Sequence, residues 1–426
     1  MVAARQSACP GHGPAPQHAA PQSTASTARK AGTACVPALR AVDNMARRAS
    51  LTPRWPVALP EQHVTDRGMP RCAPSGHGDC HCHPTRDRPL WPVPTPPSFE
   101  ALPALPMKLP TFHLLHRVDD RALAAEAAAG LCARPAQVSP KFLYDALGSR
   151  LFEAITELDE YSPTRDEAAI FALHGPAIAR AALQATGVGP VLVDLGAGNC
   201  AKAARLFGAL QPRRYVAVDI AVDFMRAALQ PLQREHPAIE MVGVGLDFSS
   251  RLQLPTGLLD GPALVFYPGS SIGNFAPDAA LRLLRQARDL AAGGALLIGI
   301  DRVKPSAQLE AAYDDALGVT AAFNLNLLRH LNRLMGSDFD PRGWRHQAQF
   351  NAAESRVEMH LVARASCTVR WPGGMREFAA GERLHTESSY KWTPEAFAAL
   401  LQSAGFSRQR HWTDAHDRFA VFLAEG

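Results

Sequence analysis

Residues 191–207 read VLVDLGAGNCAKAARLF, an apolar run, a glycine-studded turn and then a helix-like pattern. VLVDL has the density of a buried parallel strand, and AKAARLF carries apolar residues at helical spacing. Gly196 and Gly198 allow a sharp turn that brings bare backbone close to a ligand at a helix N-terminus. Three further turns sit where strands should end. Asp219 closes YVAVDI, 23 residues after Gly196, where a carboxylate can accept hydrogen bonds from ribose hydroxyls. Asp247 and Phe248 follow VGVGL, an acid beside an aromatic, which suits an adenine: the carboxylate takes the exocyclic amino proton and the ring packs on the base. VFYPGSSIGNF then follows another apolar run. The chemistry these residues fit is the binding of an adenosine-bearing cofactor.

The turn alone leaves two cofactors open. Read as G-x-G-x-x-G/A, with Ala201 in the third slot, it fits a dinucleotide fingerprint and a NAD-dependent oxidoreductase. Read as V-D-L-G-x-G, it is equally the first motif of an S-adenosylmethionine (SAM) methyltransferase. Asp194 before the glycines, together with Asp219 and Asp247, favours SAM. The chain also has no second dinucleotide half after residue 301 and no evident hydride-handling His–Asp pair.

The elements around these turns follow from periodicity. Apolar strands are expected near 190–195, 214–219, 240–245, 263–267 and 294–301, with helices at 200–210, 221–233 and 277–291. That alternation predicts an α/β fold with a doubly wound, Rossmann-like sheet and ligands at the strand carboxyl ends. Residues 121–170 read as helical, with Thr164 and Glu167 as a capping box. Residues 307–335 read as a long, interruptible helix, and 345–391 as antiparallel strands. The helix PEAFAALLQSAG and strand-like RHWTDAHDRFAVFLAE complete the chain. The expected organisation is a SAM-binding methyltransferase domain (166–301 plus 392–426) with a smaller α+β substrate domain (109–165 plus 302–391).

Residues 1–108 differ in composition. Proline clusters, scattered Arg and His and no sustained period predict disorder, and the segment reads as an over-extended gene start before Met107. Five of the eight cysteines lie there. The three that remain do not make a disulfide framework, so a reducing cytoplasm is expected. HGDCHCH (77–83) lacks the paired, loop-separated ligand sets of a zinc site, and no metal is expected. The formal charge of +4 is too small to imply a nucleic-acid partner. No apolar run is long enough to span a membrane. A monomer acting on a small molecule is expected.

YDALGSRLFEAITELDEYSPTRDEAAI, DLGAGNCAK, PGSSIGNF, AYDDALGVTAAFN and HTESSYKW, in this order, resemble the histidine Nα-methyltransferase family of ergothioneine biosynthesis. The resemblance runs from about residue 110 to 426. It implies a SAM-dependent transferase that trimethylates the α-amino group of L-histidine to hercynine. It further implies Tyr161, Gly196, Lys202, Asp219, Asp247 and Phe248 on the cofactor, with Lys202 pairing the methionyl carboxylate. Asn274 and Tyr313 would hold the substrate α-carboxylate, and Glu387 and Ser389 the two imidazole nitrogens. Tyr161 would close over cofactor and substrate, and Tyr144, Phe152 and Met359 would line the pocket. Tyr144 and Tyr161 are the expected catalytic residues, with a tyrosine or water route taking the amine proton to solvent. Another amino-acid or amine N-methyltransferase is the neighbouring alternative. The long N-terminal segment is the departure from the family's pattern.

Overall fold

The computed structural model describes residues 108–115, 119–249 and 251–426. Residues 1–107, with the HGDCHCH segment and the expected extension, lie outside them. In chain order the first elements are strand β1 (Thr111–Leu114), helix α1 (Asp120–Cys132), the short strand β2 (Ala136–Gln137), and helices α2 (Ala146–Thr156) and α3 (Pro163–Thr186). Strands and helices then alternate: β3 (Val191–Leu195), α4 (Ala201–Leu210), β4 (Arg214–Asp219), α5 (Val222–Glu235), β5 (Glu240–Gly245), β6 (Ala263–Tyr267), α6 (Pro277–Ala291) and β7 (Ala295–Asp301). Helices α7 (Ser306–Ala311) and α8 (Val319–Met335) lead into five strands. These are β8 (Trp344–Asn351), β9 (Arg356–Ala363), β10 (Cys367–Trp371), β11 (Gly374–Phe378) and β12 (Arg383–Tyr390). Helix α9 (Pro394–Ser403) and the hairpin β13 (Arg408–Thr413) and β14 (Phe419–Glu425) end the chain.

The large sheet has the order β1-β5-β4-β3-β6-β7-β14-β13. Strands β1 and β3 to β7 run parallel, and β14 and β13 return antiparallel. Both faces are covered, as a parallel sheet requires. Val191, Val193 and Leu195 pack with α6 and α9 on one face, while Leu192 packs with α3, α4 and α5 on the other. The order reverses at β3, between β4 and β6, which opens a crevice above the strand carboxyl ends. A smaller sheet, β2-β12-β9-β8, has its own core with α1, α2 and α8. Helix starts carry local chemistry: Asp119, Asp145 and Thr393 accept backbone N–H bonds at the first turns of α1, α2 and α9, each worth about 1 kcal/mol.

Two expectations are corrected. Residues 109–165 do not stay together, because Thr111–Leu114 pairs parallel with β5 of the large sheet. Phe112 lies over Gly243, where an added Cβ would stand 2.6 Å from its ring, so the bare strand backbone is what accepts the ring. Thr164 and Glu167 make no capping box. Helix α3 starts two residues earlier, at Pro163 with Ser162 as its N-cap, and the Glu167 carboxylate turns away to the Gly269 N–H and to Lys202. Asp194 faces the α3–α4 side of the sheet and accepts the Tyr215 hydroxyl at 2.8 Å. Burial pushes its pKa up to about 7, so it is a core acid beneath the glycine turn. The 307–335 helix is indeed interrupted, and Asp315 accepts the Val319 and Thr320 N–H groups where α8 begins.

Candidate active site

The carboxyl ends of β3, β4, β5, β6 and β7 supply one half of the site. After β3 the chain turns with Gly196 at φ +70° and Gly198 at φ +53°, a left-handed conformation costly for residues with a Cβ. The Gly196 N–H bonds back to Val218 O at 2.8 Å. The turn is pinned to the neighbouring strand by Asp219, which accepts the Gly198 N–H at 2.8 Å and the Ala221 N–H at 2.7 Å. Burial raises the Asp219 pKa above the ordinary value, opposed by these backbone donors. A carboxylate offers about four acceptor positions, so these backbone donors leave room for a hydroxylated ligand. Phe248 comes within 3.9 Å of the place a Cβ would occupy on Gly196 and packs edge-on to Tyr267. Asp247, beside it, accepts the Ser249 N–H at 3.0 Å and lies 3.4 Å from Lys141 Nζ. Lys202, in the first turn of α4, is paired with buried Glu167 at 2.7 Å. Its two other ammonium protons are available to an anionic group. A bare-backbone turn, a buried acceptor, an aromatic wall and a cation fit the ribose, adenine and carboxylate of SAM.

The other half is a pocket between the two sheets. Tyr144, Phe152, Tyr161, Asn274, Tyr313, Met359, Glu387 and Ser389, expected at the substrate or closing over it, all line this one cavity. They come from α2 and its flanks, the 3-10 turn after β6, the end of α7, and strands β9 and β12. Tyr144 and Phe152 pack ring to ring, Phe152 meets Tyr161, and Tyr161 meets Tyr313. Burial raises the tyrosine pKa values well above the ordinary range at 144, 161 and 313. All three are neutral phenols at pH 7.

Glu387 and Ser389 owe their position to a bulge. The β12–β9 register shifts between His385 and Glu387, where Thr386 is buried and bonds to Met359 O at 3.0 Å. Such a bulge re-aims the side chains on either side of it. His385 therefore meets His360 ring to ring on the sheet's other face, whereas Glu387 lies opposite Met359 in the pocket. Burial pushes the Glu387 pKa up to about 7, against the lowering pull of Lys391 and a hydrogen bond from the Asn274 side chain. Ser389 Oγ accepts the Tyr313 hydroxyl at 2.8 Å. The residues expected at opposite ends of the substrate are thus bonded to each other in the lining of one cavity.

Beneath them is a buried ionic network that motif reading missed. Lys391 Nζ contacts Asp301 at 2.9 Å, Ser389 Oγ at 2.9 Å and Tyr313 OH at 2.9 Å. Lys304 contacts the other Asp301 oxygen at 2.6 Å. The signal for Lys391 was present, since the alternation through Glu387 and Ser389 reaches it next. Asp301, at the end of β7, obeys the strand-end rule that found Asp219. Thr320 and Phe323 of α8 also line the pocket, and a helical apolar pattern gives no sign of that. Among the described residues no helix is long and apolar enough to cross a membrane, and no cluster of three or more His, Cys, Asp or Glu could hold a metal ion.

A doubly wound sheet with a nucleoside-type cradle at its strand ends, facing a polar pocket, is the architecture of a cofactor-dependent enzyme of the α/β class. The chain belongs to the histidine-specific, SAM-dependent methyltransferase family, whose model matches residues 123–426. It is 40% identical to the histidine N-alpha-methyltransferase of Mycolicibacterium smegmatis, over 71% of this chain and 94% of that one. It is 39% identical to the enzyme of the same name from Mycobacterium tuberculosis, over 73% and 97%. It is also 28% identical to ergothioneine biosynthesis protein 1 of Neurospora crassa, over 68% of this chain and 33% of that protein. The nicotinamide reading of the glycine turn falls with this membership.

Proposed function

We propose that this protein trimethylates the α-amino group of L-histidine to hercynine, the first step of ergothioneine biosynthesis. The observation that carries the reading is the pairing of Glu387 and Ser389 on one strand face, lining one pocket with Met359. An imidazole offers two nitrogens to such a pair, and an indole or phenyl ring cannot satisfy both. Glu387 accepts a ring N–H, and Ser389 serves the second nitrogen. Asn274 and Tyr313 hold the α-carboxylate, and neither adds a charge.

SAM, when bound, supplies a methyl group already activated on a sulfonium. The chain's residues therefore have to bind, align and exclude water. Gly196, Asp219, Asp247, Phe248 and Lys202 hold the cofactor. Tyr144, Tyr161 and Phe152 form the wall that orients the amine. The raised pKa values of both tyrosines keep them protonated, so neither takes the amine proton, which leaves to solvent before each transfer. The quaternary product has no proton left to lose, and the reaction stops at three methyl groups. The smaller sheet, with α1, α2 and α8, acts as the substrate lobe. A cytoplasmic location fits the sparse cysteines of residues 109–426.

The test is to incubate the protein with SAM and the twenty amino acids and read product masses. A histidine product three methyl groups heavier is expected. Methylation of another amino acid in preference to histidine overturns the substrate assignment.

A further inference from the structure

Lys391 has a fully buried side chain and three ammonium protons, and it faces three acceptors: Asp301, Tyr313 OH and Ser389 Oγ, each at 2.9 Å. The second oxygen of Asp301 faces Lys304, and the Asp301 backbone N–H is tied to Ser270 Oγ at 2.7 Å. Lys391 is therefore fixed from behind. An ammonium donates and never accepts. Each hydroxyl thus spends one lone pair on Lys391 and keeps its own proton to place elsewhere. In the ligand-free pocket the more acidic phenol of Tyr313 donates to Ser389 at 2.8 Å, which leaves the Ser389 proton facing the cavity.

We infer that Lys391 is a positioning residue that fixes Ser389 and Tyr313 as donors toward the amino acid, so that the pocket takes a neutral imidazole in a single tautomer. This rests on the histidine reading above. A carboxylate at Tyr313 draws that phenol proton to itself, and Ser389 keeps its proton for a bare ring nitrogen. Glu387 then accepts from the nitrogen that carries hydrogen. The remaining arrangement, in which Ser389 accepts from an imidazolium N–H, would set a second cation against an oxygen that already holds an ammonium. Two lysines and one aspartate leave one positive charge in the network, which the Glu387 carboxylate balances and an imidazolium would add to.

Two measurements test this. The first uses unmutated protein saturated with S-adenosylhomocysteine and L-histidine labelled with ¹⁵N in the ring. At pH 7 the bound ring should show one protonated and one bare nitrogen. Two protonated nitrogens overturn the inference while leaving histidine as the substrate. The second compares Lys391→Met, Ser389→Ala and the double variant by calorimetry with the same two ligands. Each single change should weaken histidine binding about tenfold or more, the scale of a buried hydrogen bond left unmade. Adding Ser389→Ala to Lys391→Met should cost less than about threefold further, because coupled residues do not add. Affinity for S-adenosylhomocysteine should stay within about twofold. Unchanged histidine affinity in Lys391→Met, additive losses, or a parallel loss of S-adenosylhomocysteine binding each overturn the inference. If Lys391→Met does not fold, the labelled-ring measurement decides alone. No histidine binding by unmutated protein overturns the substrate reading, and this inference with it.

Discussion

The cofactor end of the site lies almost wholly between residues 191 and 248, and backbone groups do much of its work. Gly196 and Gly198 shape the turn, and the backbone N–H groups of Gly198 and Ala221 hold Asp219. The amino-acid end draws Tyr144, Asn274, Tyr313, Met359 and Glu387 from separate elements of the chain, and buried side chains do its work. Lys202 is over a third exposed, whereas Lys391 is wholly buried. The difference is one of electrostatic leverage. In a half-open crevice water screens each contact, so binding is shared among many modest ones. In a closed pocket each polar group is costly unless matched, so a few groups there discriminate strongly between ligands.

The largest expected effect comes from breaking the buried end. Glu387→Ala should lower kcat/KM for histidine by roughly 10³–10⁴-fold, since a site built around a hydrogen bond rejects what cannot make it. SAM affinity should hardly change, and the preference for histidine over phenylalanine should narrow. Steady-state kinetics with both amino acids, beside calorimetry with SAM, check this. Wild-type histidine kinetics in the variant would mean that Glu387 does not face the substrate.

Asp219→Ala attacks the other end. It removes an acceptor for the ligand and unpins the glycine turn, and should weaken SAM binding by about 1.5–3 kcal/mol. Affinity for the amino acid's ring should be untouched, which is read as an unchanged ratio of histidine to phenylalanine turnover. A changed ratio with intact SAM binding would erase the division between the two ends.

Proton linkage gives a smaller, graded effect. The Glu387 pKa stands at about 7 in the ligand-free protein, and it serves as an acceptor when ionised. Histidine binding should therefore be full above pH 7 and fall as the pH drops through 7, with the acid limb steepening beyond about tenfold per pH unit below about 6.5, where the free imidazole also gains the proton that the pocket excludes. Lys391, which pulls this pKa down, faces Glu387 together with Asn274, and Tyr144, Tyr161, Tyr313 and Asp301 are close by. Binding of S-adenosylhomocysteine alone should lack that limb. Calorimetry from pH 5.5 to about 8.5 distinguishes them, and a flat histidine profile counts against Glu387 as the acceptor.

The smallest effect is expected at His385. The bulge puts it on the face away from the pocket, packed against His360. His385→Ala should change kcat/KM for histidine less than about threefold, within the range of residues that do not touch the ligand. A loss comparable to that of Glu387→Ala would show that the register shift does not separate the two faces.

Much of the large sheet was legible in the sequence. The strands at 191–195, 214–219, 240–245 and 263–267 and the helices between them show in the chain as apolar runs and helical stripes, because each is set by local periodicity and closed by its own turn. Gly196, Asp219, Asp247 and Phe248 were legible for the same reason, since each stands directly after a strand and strand ends converge in this fold. Tertiary structure alone decided the rest. Strict alternation would put His385 on the face of Glu387, and only the pairing of β12 with β9 introduces the bulge that separates them. Glu167 reads as a helix-capping acid until the loop after β6 and Lys202 reach it across the fold. Lys391 reads as an ordinary strand-end lysine until Asp301, Tyr313 and Ser389 close around it. Period and turn chemistry act between neighbours in the chain and are written in it. Desolvation and charge pairing act between neighbours in space, and those exist only once the two sheets have packed.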